Sequence, residues 1–334
     1  MKKVVKILKW TGILLVLLIA GFIAFVQFSW NKKFEAPYPE IKASTDSTVI
    51  ARGKYLAYGP AHCGTCHVPM DKIMDVENGD VNQPLSGGWT LPIPPGTFRA
   101  PNLTPDEETG IGKLTDAEIA RTLRYMVGND NRCIFPFMPF AELSDDDLTA
   151  VVSFLRSQPP VKHEVKRSEL TLMGKAIMAF GLITPSGTKG TPPKSVAIDS
   201  TVEYGKYLAN SVANCVGCHT KRDMKTGAFT GTPFAGGMGF TPDEFSHGRS
   251  FVTPNLTPDA NTGIMAGWTE DAFIKRFRSG RVHKGSPMPW GAFGRINDIE
   301  LKALYRYLHS LEPVPNKIEK IVFEPGEKLP PGTL

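Results

Sequence analysis

The chain has 334 residues, 41% hydrophobic and 21% charged, which is the make-up of a folded globular protein and excludes a disordered one. Its formal net charge of +5 is too small to argue for a nucleic-acid partner. Four of its five cysteines fall in two Cys-x-x-Cys pairs, so no disulfide framework can form that leaves both pairs intact.

Residues 1–30 open with Lys2, Lys3, Lys6 and Lys9 and run on, uncharged and apolar, from Trp10 to Phe28. That is long enough to cross a hydrocarbon core. Trp10 and Trp30 flank the run as interfacial aromatics do, and no small-x-small cleavage site follows it. An uncleaved anchor is therefore predicted in preference to a cleaved signal. By the positive-inside rule it passes once through the inner membrane and leaves the rest in the periplasm. Residues 31–46, with Pro37 and Pro39, read as an extended tether.

The next stretch is Cys63-Gly64-Thr65-Cys66-His67, and it returns as Cys215-Val216-Gly217-Cys218-His219. A Cys-x-x-Cys-His run is the signature of covalent haem attachment: two thiols add to the haem vinyl groups, and the adjacent His presents its imidazole to the iron. Random order would give such a run on the order of once per thousand chains of this composition, so two copies are not chance. A four-Cys zinc site leaves both His residues unexplained, and a redox dithiol wants a βαβ context that is absent. Two covalent haem c groups are predicted, and their propionates nearly cancel the positive charge.

Other blocks repeat at the same offset. Arg52-Gly53-Lys54-Tyr55-Leu56-Ala57 returns as Tyr204-Gly205-Lys206-Tyr207-Leu208-Ala209, and Pro101-Asn102-Leu103-Thr104-Pro105-Asp106 as Pro254-Asn255-Leu256-Thr257-Pro258-Asp259. A period this long is duplication of a whole domain, not a solenoid. The predicted domains are 47–158 and 201–312, joined by a linker at 159–200 and followed by a tail at 313–334.

Each copy carries the same helix signals. Asp46 or Ser47 caps a helix through Leu56; Thr115 and Glu118 form a capping box; Ser144 opens the last helix of the first copy. In the second copy, Thr269 opens a helix that Gly280 closes, and Asn297 and Glu300 open the last one. No stretch alternates as a half-buried strand does, so the predicted class is all-α. Within the linker, Leu170–Ile183 is apolar but too short to span a membrane. It is predicted to be a helix packed between the two domains, with a peripheral membrane contact as the sharper alternative.

A six-coordinate electron-transfer haem needs a second axial ligand. Phe137-Met138-Pro139-Phe140 and Pro287-Met288-Pro289-Trp290 occupy corresponding loops, 71 and 69 residues after His67 and His219. Met138 and Met288 are the predicted distal ligands, and the other methionines, Met224 among them, are taken as packing. With both faces of each iron filled, an electron carrier is favoured over an enzyme. His62 is not repeated and reads as a surface residue, and Cys133 as a small buried thiol. Pro101 and Pro254 are candidates to accept a bond from the proximal imidazoles. Asn102 and Asn255 either hold a propionate or shape the turn before Thr-Pro-Asp.

Together, the Cys-x-x-Cys-His and Met-Pro pairs and the helix order resemble class I cytochrome c domains. The block from Pro101 to Ile111, returning at Pro254, is similar to the cytochrome c subunits of bacterial membrane-bound alcohol, gluconate and fructose dehydrogenases. This resemblance covers about residues 48–315. It implies two tandem class I cytochrome c domains after the transmembrane helix. His67 and His219 would be proximal ligands and Met138 and Met288 distal ones. A periplasmic dehydrogenase or a quinol would be the donor, and a terminal oxidase or soluble cytochrome the acceptor. Those subunits carry three haems and here there are two motifs. The rival function is a dihaem redox enzyme, of peroxidase or thiosulfate dehydrogenase type, with one exchangeable distal ligand.

Overall fold

The computed structural model describes residues 1–138, 140–185, 187, 188, 190–223, 227–243 and 245–333, so Pro139 and Met224 lie outside the described residues. Helix α1 (Lys2–Ser29) is long and apolar enough to cross a membrane, and Val26 is its one buried residue. After it the chain lies along the first repeat. The buried Arg121 guanidinium donates to the carbonyls of Phe34 and Ala36, and Asp116 accepts from Ala43 N at 2.8 Å.

The first repeat contains α2 (Ser47–Tyr58), α3 (Ile73–Glu77), β1 (Thr90–Ile93), β2 (Gly96–Arg99), α4 (Asp116–Tyr125) and α5 (Asp145–Ser157). The linker adds β3 (Glu169–Leu170) and α6 (Leu172–Ala179). In the second repeat come α7 (Val202–Tyr207), α8 (Cys215–Cys218), β4 (Gly239–Phe240), β5 (Ser250–Val252), α9 (Glu270–Arg278), α10 (Trp290–Phe293) and α11 (Asp298–His309). The tail supplies β6 (Val322–Phe323).

The predicted caps form. Asp46 accepts from Thr48 N at 2.7 Å, and Asn297 from Glu300 N at 2.9 Å. Thr115 and Glu118 close a reciprocal capping box, with the Glu118 carboxylate 2.7 Å from Thr115 N. Each such cap satisfies backbone N–H groups that the first helical turn leaves without a partner.

The class is mostly helical, but the all-α expectation is corrected. Among the described residues there are two three-stranded antiparallel sheets, in the orders β1-β2-β3 and β4-β5-β6. Their strands are two to four residues long, too short to show alternation, and β1 turns into β2 through Pro94 and Pro95. The third strand of each sheet comes from beyond the last helix of its repeat. The repeat therefore continues there: Val161 and Val314 accept at 2.8 and 2.9 Å from the side chains of Asn102 and Asn255.

In each repeat the first and last helices cross in backbone contact. A Cβ on Gly53 would sit 1.9 Å from the Ala150 carbonyl oxygen, and one on Gly205 would sit 2.0 Å from that of Ala303. Only glycine fits there. The crossings join Leu56, Leu148, Val152, Leu208, Leu301 and Leu304 into one core shared by both repeats.

The two repeats dock with a reciprocal pattern. Tyr55 of α2 bonds Glu300, at the start of α11, and accepts from Asn297 N at 3.0 Å. Its counterpart Tyr207 bonds Asp147, at the start of α5, at 2.8 Å and accepts from Ser144 N at 3.1 Å. Arg52 bridges the two carboxylates, at 2.9 Å from Asp147 and 3.0 Å from Glu300. Glu300 is fully buried, and the Arg52 guanidinium and the phenols of Tyr55 and Tyr204 supply the hydrogen-bond partners that a buried carboxyl group needs.

Helix α6 does not pack between the two domains. It lies against α1, with the Phe180 ring 6.1 Å from Phe22 and 5.3 Å from Phe25, and β3 just before it completes the first repeat's sheet. An apolar segment of eight residues has enough surface to want a partner but carries no mark of which one.

Candidate haem sites

Helices α2 and α7 deliver the two Cys-x-x-Cys-His runs. The residue before each first cysteine, His62 or Asn214, takes the left-handed conformation (φ 43° and 52°) that swings the chain out of the helix. One tight helical turn follows. His67 N bonds the Cys63 carbonyl and His219 N the Cys215 carbonyl, both at 2.9 Å, so the two cysteines and the histidine of each run share one turn of backbone.

Each imidazole is fixed from behind. The Pro101 carbonyl lies 3.0 Å from His67 Nδ1, and the Pro254 carbonyl lies 3.1 Å from His219 Nδ1. A carbonyl can only accept, so Nδ1 carries the proton and Nε2 is the nitrogen left for a metal. Burial pushes both imidazole pKa values down, with the carbonyl bond acting in the opposite sense, which favours the neutral ring. The histidine carbonyls accept from Gly87 N and Gly236 N, each at 2.8 Å.

Asn102 and Asn255 stand next in the chain and are almost wholly buried. Asn102 Oδ1 accepts from Thr104 N and Oγ1 at 2.9 and 2.8 Å, while its amide donates to Thr109 and Val161. Asn255 repeats each bond with Thr257, Thr262 and Val314. Both side chains are occupied by protein partners, which favours the turn-shaping reading over a propionate ligand.

Met138 and Met288, the expected distal ligands, are half-buried against the shared core, in the loops that precede α5 and α11. An arginine of the middle helix grips each loop. Arg124 donates to the carbonyls of Ala141 and Leu143 at 3.1 and 2.5 Å and pairs with Asp145 at 2.7 Å. Arg278 does the same to Gly294, Ile296 and Asp298 at 2.7, 2.6 and 2.5 Å. Sequence reasoning missed this pair, although two arginines in matching places of α4 and α9 were there to be read.

The repeats differ in what else holds these loops. The second loop is clamped by the first repeat: Glu77 accepts from Arg281 at 2.7 Å and from Gly291 N at 3.0 Å. Arg295 reaches back to the carbonyls of Tyr58 and Val76 at 2.8 and 2.9 Å. A Cβ on Gly291 would lie 2.1 Å from the Glu77 carbonyl oxygen, so the approach requires glycine. His62 meets Phe293 edge-on at 5.4 Å in the same contact, which corrects its reading as a surface residue. The segment leading to Met138 packs instead toward α1 and α6. Met126, Cys133 and Met178 form a separate cluster there with Trp30, Phe34 and Phe135.

Comparison with known proteins bears directly on this geometry. The chain is 31% identical over 295 residues to the cytochrome c subunit of the quinone-type alcohol dehydrogenase of Gluconobacter oxydans, covering 81% of this chain and 56% of that subunit. It is 27% identical to the gluconate 2-dehydrogenase cytochrome c subunit of Pantoea cypripedii, over 80% of this chain and 60% of that one. A diheme cytochrome c-type protein of Cereibacter sphaeroides is 27% identical over 65% of this chain and 71% of its own. The chain is a homologue of cytochrome c subunits. It spans less than two thirds of the length of the dehydrogenase subunits it matches. No protein-family model matches it.

The residues of this cytochrome c homologue fit a covalent haem better than a bare metal ion. Among the described residues, no three His, Cys, Asp or Glu side chains converge as a metal-ion site needs. The motif thiols are not joined as disulfides. Burial pushes Cys63 and Cys215 up to about 12 and Cys66 up to about 11, the reverse of the lowered pKa that a redox dithiol requires. Neither ring's Nε2 has a hydrogen-bond partner among the described residues, which leaves it free for iron. Cys133 is buried, with Sγ 3.3 Å from the Ile134 carbonyl, and its pKa is raised to about 11 by burial. It is a packing thiol, as expected.

Proposed function

We propose that this protein is a membrane-anchored, periplasmic dihaem cytochrome c that carries single electrons. His67 and Met138 would be the axial pair of the first haem, and His219 and Met288 that of the second. Cys63, Cys66, Cys215 and Cys218 would hold the two groups covalently. The observation that carries the reading is the duplicated proximal arrangement, in which a Cys-x-x-Cys-His turn is followed by a proline carbonyl that fixes the imidazole tautomer.

When bound, each haem supplies a one-electron couple at its iron. The chain's own residues set that couple's surroundings. Nδ1–H held by a backbone carbonyl fixes ring orientation and raises the basicity of Nε2. The Arg124 and Arg278 grips restrain the methionine loops, and the shared apolar core would keep water from a haem held beside it. A thioether opposite an imidazole favours a higher potential than two nitrogens would.

Helix α1 serves in this reading as the inner-membrane anchor, uncleaved and crossed once. Two of the relatives named above are dehydrogenase subunits, which supports a dehydrogenase as donor; a quinol as the alternative donor and an oxidase or soluble cytochrome as acceptor complete the reading. Carbon monoxide uptake tests the ligands. The reduced wild-type protein should bind it poorly, and Met138→Ala and Met288→Ala should each open one haem to it. Ready uptake by the wild type would move the assignment to an enzyme with an exchangeable distal ligand.

A further inference from the structure

The contact between α6 and α1 has no part in holding either haem, yet it is specific. Phe180 packs against Phe22 and Phe25, and at about 1.5 Å per residue those rings lie about 10 and 6 Å inside the Ser29 end of α1. The middle of α6 is level with the end of α1, where Lys175 Nζ is 3.1 Å from Gln27 Oε1 and 5.4 Å from the Trp30 ring. Lys32 donates to the Ala179 carbonyl at 2.8 Å and so satisfies a helix-end acceptor. Gly181, in the left-handed conformation at φ 69°, turns the chain back after Phe180.

One side of α6 is fitted to protein. Gly174 approaches the Pro95 carbonyl so closely that a Cβ would lie 2.0 Å from it, and Met178 and Ala179 are buried. The other side is bare: Leu172, Met173, Phe180 and Leu182 are 46–56% exposed, continuous with the uncovered apolar surface of α1. From Leu170 to Pro185 the sequence has no acidic residue and one lysine.

We propose that residues 171–184 dip into the outer leaflet of the bilayer and form a second membrane contact, seating the first repeat on the lipid surface. The proposal rests on the reading of α1 as a membrane-spanning anchor. A segment fastened to the last two turns of a spanning helix shares their depth, and its apolar face then meets acyl chains while Lys175 remains at headgroup level. Because β3 ties the same segment to β2, and Arg121 ties the tether to α4, the first repeat is held close to the membrane.

The test uses the full haem-loaded chain in vesicles of phosphatidylethanolamine and phosphatidylglycerol. The photoreactive residue p-benzoylphenylalanine replaces Phe180 or Leu182, with Leu18 in α1 and the exposed Ile299 of α11 as comparison positions. Haem content verifies folding of each variant. On illumination, positions 180 and 182 should form lipid adducts as position 18 does, at a yield at least about tenfold above position 299. Adducts at 18 without any at 180 or 182 would overturn the proposal while leaving the anchor intact. Capture of a second polypeptide at 180, or equal labelling at 299, would also overturn it. Absence of adducts at 18 would remove the anchor reading and this proposal with it.

Discussion

Glu77 and Arg281 lie 204 positions apart and meet at 2.7 Å across the boundary between the two repeats. The glutamate follows the first Cys-x-x-Cys-His run, and the arginine precedes Met288. The loop proposed to close the second haem is thus held from the first repeat.

Glu77→Ala should loosen that loop and leave Arg281 and Gly291 N without their acceptor. The expected stability loss is about 1–3 kcal/mol, with carbon monoxide uptake rising several-fold at one haem only. Urea unfolding and a carbon monoxide titration read the two effects. Unchanged uptake in a destabilised protein would mean that the clamp supports the fold and not the ligand loop.

The phenols of the domain contact predict an alkaline limit. Burial, reinforced by Glu300 for Tyr55 and Tyr204 and by Asp147 for Tyr207, raises all three above the ordinary phenol value. In the unfolded chain they ionise near pH 10. Below that pH their contribution to stability is fully present. As pH rises past about 10 the unfolded chain releases protons that the folded chain keeps, and stability falls. Urea midpoints at about pH 8 and about pH 11 should show the drop, and it should be smaller in the Tyr55→Phe, Tyr207→Phe double variant.

The helix crossings make a steric prediction. Gly205→Ala places its methyl 2.0 Å from the Ala303 carbonyl oxygen, so α7 and α11 must separate. A loss of about 2 kcal/mol or more is expected in urea unfolding. Gly190→Ala, with nothing within 4 Å, should change stability by less than about 0.5 kcal/mol.

What the sequence made legible was what local chemistry dictates. The capping box at Thr115, the cap at Asn297 and the tight turn of each haem motif depend on residues three or four apart. The proximal carbonyls of Pro101 and Pro254 were legible because the block containing them is duplicated. The sheets were not, because no strand exceeds four residues, too few to show alternation, and the third strand of each sheet enters from beyond the last helix. Even so, the Pro-Val pairs at 160–161 and 313–314 marked that the repeat continued. The seat of α6 on α1 and the Glu77–Arg281 clamp were hidden for a different reason. Both are long-range choices among partners that one chain's pattern leaves equivalent.

The most direct measurement is the number of haems that remain attached to the purified, denatured chain, read from its intact mass and its haem absorbance. The account predicts two per polypeptide, falling to one when Cys215 and Cys218 are both replaced by alanine. A wild-type count of one or none would contradict it.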